Sequence, residues 1–161
     1  MSRTIRVSFV CSGNICRSPT AEVVMRRLVR DAGRDDVEVE SAGTGGWHAG
    51  DDMDARAAQE LRRGGYEFDV HRARQFRPAD FDRLDVVVAL DETHRRELLA
   101  LARSTEEQAQ VLLLGELSSA DAADPSVPDP YYGGPGGFAD VLARVERGCR
   151  ALLDGLPPRS S

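Results

Sequence analysis

Cys11 and Arg17 stand with five residues between them in the run Val10-Cys11-Ser12-Gly13-Asn14-Ile15-Cys16-Arg17-Ser18-Pro19. These types at this spacing suit phosphoryl transfer through a cysteine. A short loop that enters a helix N-terminus turns its backbone N–H groups inward and cradles a tetrahedral anion. A cysteine at the start of such a loop lies beneath the phosphorus, and its thiolate, the attacking form, is favoured by a helix N-terminus. An arginine at the end closes on the phosphoryl oxygens with a planar, two-pronged donor set. The N–H groups of Ser12, Gly13, Asn14, Ile15 and Cys16 are the expected cradle. Gly13 and Asn14 (the chain's only asparagine) are types that tolerate left-handed backbone. Ser18 is expected as helix N-cap and as hydroxyl donor to the thiolate, with Pro19 at the first helical position.

The leaving oxygen needs a proton, and two aspartates compete to give it. Asp124 and Asp129 each precede a proline within residues 115–137, a stretch rich in Pro, Gly, Ser and Asp. Loops longer than about 12–15 residues in compact domains are commonly functional. Asp-Pro pairs also make ordinary turns, so the residues alone leave the two open. Trp47, Tyr131 and Tyr132 lie in loops where they can wall a cleft for an aromatic ring. Cys16 follows Cys11 by five positions. Once peroxide has oxidised Cys11, Cys16 is the expected redox partner, closing a reversible disulfide across the loop.

The surrounding pattern supplies the frame. Ile5, Val7 and Phe9 alternate with Arg6 and Ser8 as in a strand. Ala21, Val24, Met25, Leu28 and Val29 recur at helical spacing with arginines opposite. Residues 37–41 form a second strand, parallel to the first because a helix intervenes. Residues 54–63 predict a short helix, 85–90 a buried strand, and 91–102 a helix capped by Asp91. Residues 111–114 predict a fourth strand, and Phe138, Val141, Leu142, Val145, Cys149, Leu152 and Leu153 mark a last helical face. Residues 71–77 read as a connection. The sum is an α/β fold: one doubly wound domain over residues 1–156, with a four-stranded parallel sheet, helices on both faces, and a frayed tail at 157–161. Ligands in such sheets bind beyond the C-terminal strand ends, where Cys11, Trp47 and Asp91 all fall.

The run from Cys11 to Glu22 resembles the loop of low-molecular-weight protein tyrosine phosphatases. Pro128-Asp129-Pro130-Tyr131-Tyr132-Gly133 is similar to the segment that carries that family's general acid. Ser41-Ala42-Gly43-Thr44 and Arg72-Ala73-Arg74-Gln75 extend the likeness over nearly the whole chain. The resemblance implies Cys11 as nucleophile, Arg17 as phosphate clamp and Asp129, rather than Asp124, as general acid. It implies that Asn14, Ser41 and His71 buttress the loop, and that Trp47, Tyr131 and Tyr132 flank the substrate. One departure stands out: Asp-x-x-Asn is expected after the third strand, and the chain has Asp91-Glu92-Thr93-His94.

The 161 residues are 41% hydrophobic and 30% charged, the composition of a globular domain. A net charge of −6 argues against a nucleic-acid partner, although every one of the 21 basic residues is arginine. No apolar run is long enough for a membrane span and no leader is visible, so the expected location is the cytoplasm. Three cysteines without a C-x2-C pair point to reactive thiols and to neither metal nor other cofactor. The expected partners are phosphotyrosine-containing proteins, with inorganic phosphate as product inhibitor. Two other functions share these features: an arsenate reductase on the same loop, which needs further relay cysteines, and an inactive phosphotyrosine reader, which needs neither nucleophile nor acid.

Overall fold

The computed structural model describes residues 3–130 and 136–159. The elements run β1 (Ile5–Cys11), α1 (Arg17–Asp31), β2 (Val37–Gly43), α2 (Ala55–Arg63), β3 (Val86–Ala89), α3 (Glu92–Leu101), α4 (Thr105–Ala109), β4 (Val111–Leu113), α5 (Leu114–Leu117) and α6 (Gly137–Gly155). A 3-10 turn at Pro78–Asp82 precedes β3. The sheet is parallel throughout, with strand order β2-β1-β3-β4. The doubly wound α/β architecture is therefore as expected.

Side-chain alternation along each strand feeds two separate cores, one per sheet face. Val7, Phe9 and Cys11 of β1, Val39 of β2 and Val88 of β3 pack beneath α1, α2 and α6 through Val24, Leu61 and Val145. Val10, Ala42, Val87 and Ala89 point the other way, onto Phe76, Phe81 and Leu98. Phe76 and Phe81 meet edge to face with ring centroids 5.1 Å apart. This covered second face also buries Ser8, an outward position by alternation alone.

Two caps fix the helices that flank the site. Asp54 accepts from the N–H groups of Arg56 and Ala57 at the start of α2, and Asp91 from that of His94 at the start of α3. The start of α1 corrects the sequence reading. The helix begins at Arg17, with Cys16 in the cap position and no side-chain cap, so Ser18 lies inside the first turn and is no N-cap. Residues 114–117, expected mostly as loop, form the single turn α5. Near the chain end, Pro157 O accepts from Arg34 Nη2 at 2.8 Å and Arg159 pairs with Asp35 at 3.0 Å.

Candidate active site

β1 carries Cys11 to the C-terminal edge of the sheet, and the chain turns through residues 12–16 into α1. Cys11 Sγ lies 2.9 Å from Ser18 Oγ. A hydroxyl there can donate to a thiolate, and the Ala42 carbonyl, 3.3 Å away, is the longer alternative for the same proton.

Asn14 takes φ 58°, the left-handed region, which asparagine adopts more readily than other side chains. The turn aims its amide under the loop. Nδ2 donates to Ser18 Oγ at 2.8 Å and to Ser41 Oγ at 2.9 Å, while Oδ1 accepts from Arg74 N at 3.0 Å. Ser41 in turn donates to Glu22 Oε1 at 2.5 Å. His71 Nε2 lies 2.6 Å from Asn14 O, a carbonyl that only accepts, so this nitrogen carries the proton. The side chains of Asn14 and Ser18 therefore turn to each other rather than into the cleft and brace the loop from below, while the N–H of Asn14 remains part of the expected cradle. Ser41 and His71 both bond Asn14, one at its side chain and the other at its carbonyl.

The end of β2 presses on the same loop. A Cβ at Gly43 would lie 2.7 Å from Ser12 O and 3.1 Å from Asn14 N, so only glycine allows this approach. Thr44 N and Gly45 N donate to the carbonyls of Cys11 and Ser12 at 2.8 and 3.0 Å, fastening the loop's first half.

Arg17 is almost wholly buried. Its Nη1 donates to Asp91 Oδ2 at 2.8 Å and to Val127 O at 3.0 Å. Its Nη2 lies 3.4 Å from His94 Nε2 and 3.8 Å from Asp129 Oδ2. Burial pushes the Asp91 carboxyl up, but the hydrogen bond from the His94 N–H, the His94 ring and Arg17 outweigh it and leave it below its ordinary value. Burial first, then the charge of Arg17, push the His94 ring down to about 4, against the opposing pull of Asp91 and Asp129.

Together these groups surround a cleft of about 240 Å³, with Cys11, Ser12, Gly13, Ile15, Cys16 and Arg17 as its floor and Trp47, His48 and Asp129 at its rim. Trp47 is 74% exposed, a free aromatic face at the mouth. Asp124 is elsewhere, in an exposed turn: its N–H donates to Asp121 O at 3.0 Å and its carbonyl accepts from Arg144 at 3.2 Å. Tyr131 and Tyr132 lie outside the described residues. Burial pushes the Cys16 thiol up to about 12, with Asp54, Cys11 and Asp129 adding to the effect.

Residues 6–159 match the sequence profile of the family described as low molecular weight phosphotyrosine protein phosphatase. The chain belongs to this family. It is 52% identical over 152 residues to a low molecular weight protein-tyrosine-phosphatase of Streptomyces coelicolor, a match covering 93% of this chain and 92% of that one. It is 41% identical to low molecular weight protein-tyrosine phosphatase A of Mycobacterium bovis, covering 99% and 96% of the two chains. A crystal structure of a protein tyrosine phosphatase from Entamoeba histolytica superposes with TM-score 0.88 at 31% identity, covering 94% of this chain and 96% of that one.

Within this low molecular weight phosphatase, three neighbours of the site escape a reading of the sequence. His48 reaches the rim because it follows Trp47 in the glycine-rich loop after β2. Asp91 is legible as a helix cap, but not as the partner of Arg17. His94 draws attention only as a departure from Asp-x-x-Asn. Cys149, the remaining cysteine, is fully buried on α6 with its Sγ 3.8 Å from Ala21 O, and burial pushes its thiol up. Such a group is poorly placed to relay oxidation from Cys11, so nothing favours the arsenate reductase reading. Among the described residues, no three His, Cys, Asp or Glu side chains gather as a metal ion would need. Nor is any helix among them long and apolar enough to cross a membrane.

Proposed function

We propose that the protein hydrolyses phosphotyrosine in proteins, and small aryl phosphates, through a cysteinyl-phosphate intermediate. The names of its relatives, which are tyrosine phosphatases, support the substrate class. The single observation that carries the mechanism is the shared cleft, with the Cys11 thiol at its floor, the Arg17 guanidinium beside it and the Asp129 carboxyl at its rim.

In the first step the Cys11 thiolate attacks phosphorus and the bond from phosphorus to the phenolic oxygen breaks. Asp129 gives its proton to that leaving oxygen. Arg17 and the inward N–H groups of the loop balance the charge on the three phosphoryl oxygens, the contribution that dominates phosphoryl transfer. In the second step the Asp129 carboxylate takes a proton from water as its oxygen attacks phosphorus. The bond from sulfur to phosphorus breaks, and the thiolate and inorganic phosphate are released. Phosphate fits the same cradle, so it acts as a product inhibitor. Trp47 offers a face on which the substrate ring can stack.

Turnover of para-nitrophenyl phosphate and of a phosphotyrosine peptide by the wild type and Cys11→Ser tests this reading. The serine variant is expected to bind the peptide without turning it over, because a serine hydroxyl is not ionised near neutral pH. Turnover by Cys11→Ser would remove Cys11 as the nucleophile. An inert wild type that still binds the peptide would indicate a reader and not an enzyme.

A further inference from the structure

His94 occupies the point where the family resemblance leads one to expect asparagine, and it is completely buried against both ends of the phosphate loop. Its Nε2 is 2.8 Å from Ser12 Oγ, next to the nucleophile, and 3.4 Å from Arg17 Nη2, at the loop's far end. Its Nδ1 lies 3.2 Å from Asp91 Oδ1, off the line of a good hydrogen bond. The charged groups facing the ring are thus Arg17 from α1, Asp91 ahead of α3, and Asp129 from the segment beyond α5.

This setting selects one tautomer. A guanidinium only donates, so a proton on Nε2 would set N–H against N–H at Arg17. It would also leave the bare Nδ1 lone pair facing the Asp91 carboxylate. With the proton on Nδ1, both conflicts vanish. Nδ1–H faces the carboxylate, and the Nε2 lone pair accepts from Ser12 and lies open to Arg17.

We infer that His94 is a positioning residue for phosphate binding, a neutral acceptor that clips Ser12 to Arg17 and aims the guanidinium at the cleft. Neutrality matters, because Asp91 already opposes the charge of Arg17. A second carboxylate in the place of His94 would oppose it further and weaken the attraction for an anion. An imidazole lone pair orients Nη2 without adding negative charge. Burial and Arg17 hold the ring neutral at neutral pH, since they push it down to about 4.

The inference rests on the reading of Arg17 as the phosphate clamp, and the test separates the two. Imidazole 15N spectra of the wild type are expected to show Nδ1 protonated and Nε2 bare at neutral pH. His94→Phe keeps the ring's bulk and removes the acceptor, and His94→Gln returns an amide oxygen near the Nε2 position. Affinity for inorganic phosphate, read by the fluorescence of Trp47, is expected to fall roughly ten- to hundred-fold in His94→Phe, the range for a lost hydrogen bond to a charged group. His94→Gln is expected to recover most of that loss, with kcat/KM following in both. A proton on Nε2 overturns the inference without any variant, even if His94→Phe fails to fold. Unchanged phosphate affinity in His94→Phe overturns it too, as does a glutamine variant no better than phenylalanine. Arg17→Ala is the control. If it weakens phosphate binding and His94→Phe does not, the role of His94 alone falls; if neither does, the reading of the loop falls with it.

Discussion

Asp129 Oδ2 stands 3.8 Å from Arg17 Nη2, beyond hydrogen-bond reach, whereas Asp91 holds the opposite nitrogen of the guanidinium at 2.8 Å. The two carboxylates near the clamp therefore differ in kind. Asp91 anchors the guanidinium by a hydrogen bond, while Asp129, with 45% of its side chain exposed, lies at the rim of the cleft.

Asp129→Asn is expected to lower kcat on phosphotyrosine by roughly 10²–10⁴-fold, the usual contribution of a positioned acid. The loss should shrink for aryl phosphates whose leaving groups depart without a proton. Asp124→Asn, in its exposed turn, should behave as wild type. Steady-state rates on both substrate types check this, and the opposite ranking would transfer the role to Asp124.

Gly43→Ala should damage activity from outside the cleft. The new methyl would lie 2.7 Å from the Ser12 carbonyl oxygen, a backbone atom that moves only with the loop. A loss of about 1–3 kcal/mol in stability is expected, typical of overpacking, together with weaker phosphate binding. Denaturant unfolding and a phosphate titration would measure the two effects. An unperturbed variant would show that the loop has slack.

The buried ring of His94 makes folding sensitive to mild acid. An unfolded histidine takes its proton near 6.5, but the folded ring does so only near 4. Between those values the unfolded chain binds more protons, so stability falls as pH drops through the window and levels off below it. The fall is about 1.4 kcal/mol for each pH step of one crossed within the window. Asp91, held low, adds its own loss only at more acidic pH, below its ordinary 3.8. Unfolding free energies from pH 7 to 4 should therefore slope less in His94→Gln than in the wild type. Parallel curves would place the dependence elsewhere.

Disulfide closure after peroxide should be slow at neutral pH. Oxidation of the Cys11 thiolate to a sulfenic acid leaves Cys16 to attack it, releasing water and forming the disulfide. The attacking species is a thiolate, and the Cys16 thiol is pushed up to about 12. Disulfide closure should therefore accelerate as pH rises from 7 to 9. Mass spectrometry of quenched samples would follow it, and a rate independent of pH would exclude direct attack by the Cys16 thiolate.

The strands and the loop from Cys11 into α1 are legible in the sequence because their signals are local. Ile5, Val7 and Phe9 show their period without help, and Cys11, Arg17 and Pro19 mark a loop entering a helix, although Pro19 falls at its third position and not its first. What escapes depends on residues distant in sequence. That Asp91 holds Arg17 depends on β1 and β3 lying side by side, a pairing no short window displays. Ser18 reads as a cap from its type, yet Arg17 is already helical and the hydroxyl bonds Asn14 instead. The turn α4 does carry a local sign, since Ser104 caps it by accepting from Glu107 N at 3.1 Å.

The polar lattice under the loop runs from Glu22 through Ser41 and Asn14 to Ser18, and every link in it joins one protein group to another. The hole for the anion is thus shaped by the chain itself, and little conformational entropy remains to be lost on binding. Such a ready-made cavity selects by the size and charge of a tetrahedral oxyanion and not by the group esterified to it. Discrimination among esters then falls to side chains where the cavity opens, Trp47 and His48 among them. Evolution or engineering can retune substrate choice there while the hydrolytic apparatus below stays as it is.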